Sequence, residues 1–451
     1  MTNERIFALT EKYRQLTEDA FEYLLHHPEL GYQEWESSKY LEEKYRELGY
    51  TPTMAGDIPG FYIDIDTHIP GPRIALFSEL DALPCSEHPY ANKETGAAHA
   101  CGHNVQGAVL LAVGAILAEE GALDGLCGSI RLIIVPCEEQ SDPAYAKKLK
   151  EKGIIKYSAG KQEFMRRGYL DGCDIAFMIH LGGGRNRFTM WRGCNGSIKK
   201  EVTFKGKASH AGGSPSRGIN AMYAATLSLS AINSLRETFR DTDHIRVHPI
   251  IENAGHAVNV IPDTAIIRNA VRGATVDSIK AANKKVNRAT AAAAAAMGAE
   301  VIIKDIPGSL PGRYDPTLTA YAIESMIEVV GDGPEHIRFL VDAWDSGCTD
   351  MGDVSCVMPA LHAFGSGVKG TGHGKDYLVA DFDSACLNSV KMQVIFLRNI
   401  LSDNAKKAYD IIEKYTPTFA SVKEYTDYLD SIDKTYNGVE YLDDGSAKLN
   451  Y

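Results

Sequence analysis

The sequence has little that would take it to a membrane, to nucleic acid or to an oxidising compartment. No apolar run approaches the ~20 residues that a bilayer-spanning helix needs. Positive charge is not in excess: 47 Lys and Arg stand against 59 Asp and Glu, a formal net charge of −12. A phosphate backbone is gripped by a basic face, so neither nucleic acid nor a membrane is an expected partner. The cysteines number nine in 451 residues, an odd count scattered without the spacing of a disulfide framework. Most are expected to be reduced and to act as small buried apolar residues. The opening stretch MTNERIFALTEKYRQL is charged and helical in pattern and lacks the apolar centre of a secretory signal. The expected compartment is the cytoplasm. No internal repeat is present, and the length allows two domains, each with its own core.

What is present alternates between two periods. Glu4 to Leu48 reads as two helices, with Leu41, Tyr45 and Leu48 on one face and Gly49 closing the pattern. Short apolar strands then follow: Phe61 to Asp66, Arg73 to Ser78, Ser129 to Val135 and Ile175 to Ile179, with a long apolar helix from Gly107 to Glu119 between the second and third. That texture predicts an α/β sheet with substantial parallel character. From about Arg192 the order becomes βαββαβ, a split-βαβ unit whose second helix, Thr275 to Met297, contains the alanine run Ala291 to Ala296. After Pro307 the α/β texture returns, with a helix over Thr317 to Val330, a strand over Pro359 to Gly365 and a helix over Phe382 to Leu401. The expected organisation is one α/β catalytic domain in two parts, residues 1–191 and 307–401, interrupted by a smaller domain at 192–306 and followed by a helical appendage at 402–451.

The chemistry gathers at predicted strand ends. His99-Ala100-Cys101-Gly102-His103-Asn104 follows a strand ending in Glu79-Leu80-Asp81 and precedes the apolar helix. A thiolate and an imidazole two residues apart can reach one metal, and Gly102 lets the backbone turn between them. Alone, a Cys-x-His is more often coincidence. Its place in a strand-to-helix loop counts in its favour, because ligands of α/β sheets collect at the carboxyl ends of strands. Pro136-Cys137-Glu138-Glu139-Gln140 follows the next strand; adjacent carboxylates can divide labour, one on a metal and one taking a proton, or can simply be solvated loop acids. His180 ends a third strand, as a ligand or as a satisfied core histidine. Three successive strands ending in metal-ligand types are rarely arranged by chance. A further ligand is expected from beyond the insertion: His373, in a Gly-rich loop, with His362 on the preceding strand as its rival. A mixed soft and hard donor set suits two divalent ions, zinc, manganese or cobalt.

Jointly these segments resemble the dinuclear metallopeptidases of family 20, which include aminoacylase, bacterial glutamate carboxypeptidase, plant indoleacetyl-amino-acid hydrolases and aminobenzoyl-glutamate hydrolase. The resemblance rests on His27-Pro28-Glu29-Leu30-Gly31 with Glu34, on Asp81-Ala82-Leu83-Pro84, on HACGHN, and on Glu138-Glu139. It continues through Gly206-Lys207-Ala208-Ser209-His210-Ala211, Asn259-Val260-Ile261-Pro262-Asp263 and His373, and covers nearly the whole chain up to the tail. Thr349 to Ser355 looks nearest the branch holding aminobenzoyl-glutamate hydrolase and β-alanyl-lysine-type dipeptidases. The resemblance implies a three-layer α/β catalytic domain with an inserted α+β, ferredoxin-like lid and dimerisation domain. It implies that Cys101 bridges two metals, that His103, Glu139, His180 and His373 complete their shells, and that Glu138 is the general base. It further implies a homodimer in which His210 reaches the partner's active site. Two departures stand out: Asn104 replaces the usual final Asp of HACGHD, and Gln140 stands where many members have Gly.

The reaction so expected is hydrolysis of an amide bond in an N-acyl or N-aroyl amino acid or a dipeptide. Recognition of the substrate carboxylate calls for an arginine fork. Arg272 closes a lid strand, Arg268 shares its face, and Asn259 opens the NVIPD segment; each is a candidate contact, and each could instead be a solvated or turn residue. Two other readings remain: a non-catalytic metal- or ligand-binding protein on the same fold, and a hydrolase with Cys101 as nucleophile and His103 as its base.

Overall fold

The structure is a computed structural model that describes residues 1–331, 333, 335–340 and 343–451. Two compact units divide the chain: Met1–Arg192, Arg313–Ala343 and Asp353–Val422 form the first, and Gly193–Gly312, Trp344–Gly352 and Lys423–Tyr451 the second.

The first unit is built on an eight-stranded sheet. Its middle is four parallel strands in the spatial order Ser129–Val135, Arg73–Glu79, Ile175–Leu181, Ala360–Gly365. The strands Arg73–Glu79 and Ser129–Val135 are buried at every position but the first. Their near-continuous apolar runs therefore lack the alternation of a half-solvated strand. By contrast Phe61–Asp66, which pairs antiparallel outside Ser129–Val135, alternates between buried and exposed side chains. Because the four central strands run the same way, the loops that follow Glu79, Val135, Leu181 and Gly365 open on one edge of the sheet. Every residue of the helix His103–Leu117 is buried.

The N-terminal segment forms three helices, Asn3–Lys12, Arg14–His26 and Trp35–Glu47, rather than the two expected, because the backbone leaves helical values at Tyr13. The motif residues that follow the second helix bind the site from behind. The Glu29 carboxylate accepts the N–H groups of Glu36 and Ser37 at the start of the third helix, while the Glu29 carbonyl accepts the Ala82 N–H at 2.8 Å. Glu34, wholly buried, accepts the Cys137 N–H at 2.8 Å.

The second unit holds an antiparallel sheet in the order Arg246–Val247, Thr264–Gly273, Gly196–Lys205, Glu300–Pro307, Lys434–Asn437, with Ile250–Asn253 also pairing with Thr264–Gly273. The helices Ala221–Ser234 and Val276–Ala296 pack on it through Ala224, Ala225, Ala291 and Ala294 against Val202, Phe204 and Ile303. Small residues on the helices let them lie close to the sheet, and the alanine run is fully helical. Thr275 caps the longer helix in a reciprocal pair with Ser278.

The tail corrects the expectation of a helical appendage over 402–451. The chain continues as helix to Lys414, with a break at Ser402–Ala405, and then crosses into the second unit. There Lys434–Asn437 adds an edge strand beside Glu300–Pro307. Thr435 and Tyr436 suit a strand, and the free backbone edge of Glu300–Pro307 supplies the ladder that sequence periodicity alone could not reveal.

Helix Gly160–Arg166 approaches the sheet so closely that a Cβ at Gly160 would lie 1.6 Å from the Pro136 carbonyl oxygen. Gly160→Ala should therefore destabilise the protein by about 2 kcal/mol or more. Urea unfolding midpoints compared with the parent chain check this.

Candidate active site

The strand ends of the first unit bring the expected donors together. Gly102 adopts a left-handed conformation (φ +95°) just before helix His103–Leu117, and a Cβ there would meet the Tyr377 hydroxyl at 2.8 Å. That turn places Cys101 outside the helix and His103 in its first turn. His103 Nδ1 lies 2.7 Å from the Asp81 carbonyl oxygen, which requires Nδ1 to carry a proton, so that in the neutral ring the lone pair is on Nε2. His180 is fixed the same way, Nδ1 donating to the Leu181 carbonyl at 2.9 Å, and its Nε2 stands 3.4 Å from Cys101 Sγ. The loop carrying His373 is tied to the cysteine loop by His373 N–H donating to Ala100 O at 2.8 Å and by the Tyr377 hydroxyl donating to Cys101 O at 3.1 Å. His373 Nε2 faces Glu139 Oε1 at 3.3 Å.

Among the described residues, three donor groups lie within the first unit, each with its atoms within 4.8 Å of one another: Cys101, His103 and His180; Cys101, Glu139 and His373; and His103, Glu138 and Glu139. The first two share Cys101. Neighbouring ligands on one cation with bonds of ~2.0–2.3 Å lie roughly 3.0–3.6 Å apart, so the 3.3 and 3.4 Å separations have the spacing of polyhedron edges. His103 Nε2 and Glu139 Oε1 are buried without a hydrogen-bond partner. Orphaned lone pairs of mixed soft and hard type converging in this way fit a pair of divalent cations.

Asp81, named in the sequence only as part of a motif, is the hub. Its Oδ1 accepts the Glu138 N–H at 3.1 Å, its Oδ2 accepts the Glu139 N–H at 2.9 Å, and Oδ1 lies 3.2 Å from His103 Nδ1. One carboxylate thus orients the twin-glutamate loop and the histidine together. Glu79, two residues earlier on the same strand, points the same way: its Oε2 is 3.1 Å from His103 Nε2, and its other oxygen pairs with Lys161. Lys161 is fully buried. Burial would push the Glu79 carboxyl up, but Lys161, His103 and His180 outweigh it and hold the group well below the usual carboxylate range. Period-two spacing from Asp81 was the signal for Glu79. Lys161 lies in a segment with no apolar periodicity and gave none.

His362 is buried beside this cluster but belongs to none of the donor groups among the described residues. Its ring packs edge-on against His180 with centroids 5.5 Å apart, and its Nδ1 is 3.4 Å from the Tyr314 hydroxyl. Of the two rivals, His373 is the one brought to Cys101 and Glu139. Burial pushes the Cys101 thiol well up, the opposite of what a cysteine nucleophile requires. Asn104 is buried on the first turn of the helix, and the carboxylate beside His103 comes from Asp81 instead. Gln140 has φ +50°, the left-handed conformation that a glycine adopts freely.

The remaining candidates lie in the second unit. His210, exposed on the short strand Ser209–His210, accepts the N–H groups of Gly212 and Gly213 at its Nδ1, at 3.2 and 2.8 Å. Its neutral form therefore carries the proton on Nε2. Arg268 is engaged by Glu252 and Glu201 at 2.6 and 3.4 Å. Arg272 has one long contact, Nη1 to the Ser346 carbonyl at 3.5 Å, and a buried Nε without a partner. Asn259 is exposed, and its carbonyl accepts the Ala211 N–H.

A parallel α/β sheet with a two-cation donor set at its carboxyl edge defines a class, and comparison with known proteins gives the family. The chain belongs to Peptidase family M20/M25/M40, whose description matches residues 75–399. It is 26% identical over 306 residues to indole-3-acetyl-aspartic acid hydrolase of Enterobacter agglomerans, covering 64% of this chain and 65% of that protein. It is 30% identical over 266 residues to N-acetyl-L-cysteine deacetylase of Bacillus subtilis, covering 57% and 58%. The chain thus spans less than two thirds of the length of these two relatives. Among solved structures, the fold is similar to a dinuclear metal-binding peptidase of the M20 family from Bacillus subtilis, with TM-score 0.66, 22% identity and 86% and 98% of the two chains covered. An aminobenzoyl-glutamate utilization protein from Klebsiella pneumoniae gives TM-score 0.63 at 20% identity, covering 86% and 98%.

Replacing Lys161 by Met leaves Glu79 buried without its cation and should cost about 3–5 kcal/mol near neutral pH. The sign with pH follows from Glu79. With Lys161 present its pKa is depressed, so Glu79 contributes stability above the unfolded carboxylate range that is lost as pH falls; replacing Lys161 removes the largest lowering cause and with it most of that contribution. The gap between the two proteins should widen from about pH 4 to about pH 7, as measured by thermal melts of metal-stripped samples.

Proposed function

We propose that the chain is a metal-dependent amidohydrolase that cleaves the amide bond of an N-acyl or N-aroyl amino acid or a dipeptide. The observation that carries this reading is the pair of donor groups sharing Cys101 with a second glutamate, Glu138, held beside them by the same Asp81 carboxylate that orients Glu139. The named activities of the relatives, hydrolysis of indole-3-acetyl-aspartate and deacetylation of N-acetyl-cysteine, share the amide-to-amino-acid linkage.

In this reading Cys101, His103, Glu139, His180 and His373 hold two divalent cations, zinc, manganese or cobalt. When bound, the cations supply Lewis acidity toward the scissile carbonyl and make water a competent nucleophile near neutral pH. Glu138 accepts a proton from the attacking water as the carbon–oxygen bond forms, and returns it to the leaving nitrogen as the carbon–nitrogen bond breaks. His210 donates through Nε2 to the oxyanion, a bond that strengthens as charge develops. Its Nδ1 is already committed as an acceptor, which leaves the donor free for this task. Arg272, with its open Nε, is the better of the two arginines for the substrate carboxylate, since Arg268 is neutralised by two glutamates. Asn259 is a further polar contact.

We place His210 in the site of a partner copy, in a cytoplasmic homodimer formed through the second unit. Supporting this is an apolar surface on that unit: Tyr223 and Leu227 on one helix, and Ile250 and Ile251 on the edge strand Ile250–Asn253, are all exposed. An open edge strand with outward isoleucines is a template for pairing with a second copy. No helix among the described residues is long and apolar enough to cross a membrane.

Glu138→Gln should retain its metal, counted by mass spectrometry of the native protein, while turnover of an acyl-amino acid panel falls by at least about 100-fold. Unchanged turnover would remove Glu138 from the base role. Ile250→Lys should convert a dimer to monomer in light scattering, and with it lower activity if His210 is supplied in trans.

A further inference from the structure

Beside helix Val276–Ala296 the second unit carries an open groove of about 560 Å³, within the size range of small-molecule sites. Three lysines line it, Lys280 and Lys284 from one helix face and Lys434 from the added edge strand. None of the three has a carboxylate partner among the described residues, in a chain where acids outnumber bases by 59 to 47. Lys280 and Lys284 are spaced i, i+4, where like charges repel. Both are turned over aromatic rings, Lys280 Nζ 4.4 Å from the Tyr428 centroid and Lys284 Nζ 5.9 Å from that of Tyr451.

The groove's floor is polar, although the same helix and sheet elsewhere pack through alanine, valine and isoleucine. Asn283 and Asn287 occupy the inward positions of the lysine stripe and donate to Asp305 Oδ2 at 2.9 and 3.1 Å. Asp305 also pairs with buried Lys200, so its charge is answered from within the sheet and is not available to the groove lysines. Asn287 also donates to the Tyr436 hydroxyl oxygen at 2.7 Å, leaving that hydroxyl's own proton for an outside acceptor. The side-chain oxygens of Asn283 and Asn287 are buried with no partner. A buried amide oxygen left unmatched costs stability, so this polar floor is maintained at the expense of packing.

We propose that this groove is a binding site for a small polyanion, whose negative groups meet Lys280, Lys284, Lys434 and the Tyr436 hydroxyl. Such a ligand is either a carboxylate metabolite or a phosphorylated one. The proposal does not depend on the reaction assigned to the first unit.

The test uses the full-length, metal-loaded protein, with malate, glutamate and inorganic phosphate as probes at matched ionic strength, followed by calorimetry and thermal shift. At least one probe should bind saturably below ~10 mM. The double variant Lys280→Glu, Lys284→Glu should weaken that binding by at least ~10-fold, while Lys280→Arg, Lys284→Arg retains it. Lys434→Glu, on a different element, should weaken it independently if the double variant fails to fold. Response to malate or glutamate alone identifies a carboxylate ligand, and response to phosphate alone a phosphorylated one. Absence of saturable binding by all three, or binding unaffected by the charge reversals, overturns the site.

Discussion

One carboxylate organises the site. Asp81 accepts the backbone N–H groups of both Glu138 and Glu139 and lies against the ring nitrogen of His103 that faces away from the donor cluster. Charge-assisted bonds of this kind are about twice as strong as neutral ones, and they are stronger still where water is excluded. Asp81 is itself almost wholly buried. Its position is fixed in turn by Glu29, whose carbonyl holds the neighbouring Ala82 N–H, so that the N-terminal motif acts on the chemistry through backbone contacts rather than by touching it. Residues so far apart in the chain are coupled because each satisfies a polar group the other leaves open.

Much of this was legible in the sequence, and the reason is period and place. The four parallel strands announce themselves as short apolar runs, and a metal-ligand residue type after each of them is a signal that survives without coordinates. Cys101, His103, Glu139, His180 and His373 do converge, as the spacing and the resemblance led one to expect. Lys161 was not legible, since a charged residue in a short, weakly patterned helix reads as solvent-facing; its pairing with buried Glu79 accounts for its burial. The final strands were not legible either, because an edge strand is defined by the neighbour whose hydrogen bonds it completes. What brings His373 to Cys101 and Glu139 is a backbone bond, His373 N–H to Ala100 O, that no residue pattern encodes.

The second unit shows the same contrast between packing and chemistry. Its alanine-rich helices lie close to the sheet because small side chains allow it, and an apolar cluster lies between them. Against that background the Lys200–Asp305 pair and its asparagines are an exception. Burying ions is seldom a net source of stability.

The donors of the site are also ordered in time. Cys101, His103 and His180 lie within the first 180 residues of the chain, whereas the group of Cys101, Glu139 and His373 waits for a residue almost two hundred positions further on. Because domains fold as units and the first unit also takes in Arg313–Ala343 and Asp353–Val422, its central strand Ala360–Gly365 and the loop carrying His373 join it only after most of the second unit's sequence has been made, so the donor groups meet late.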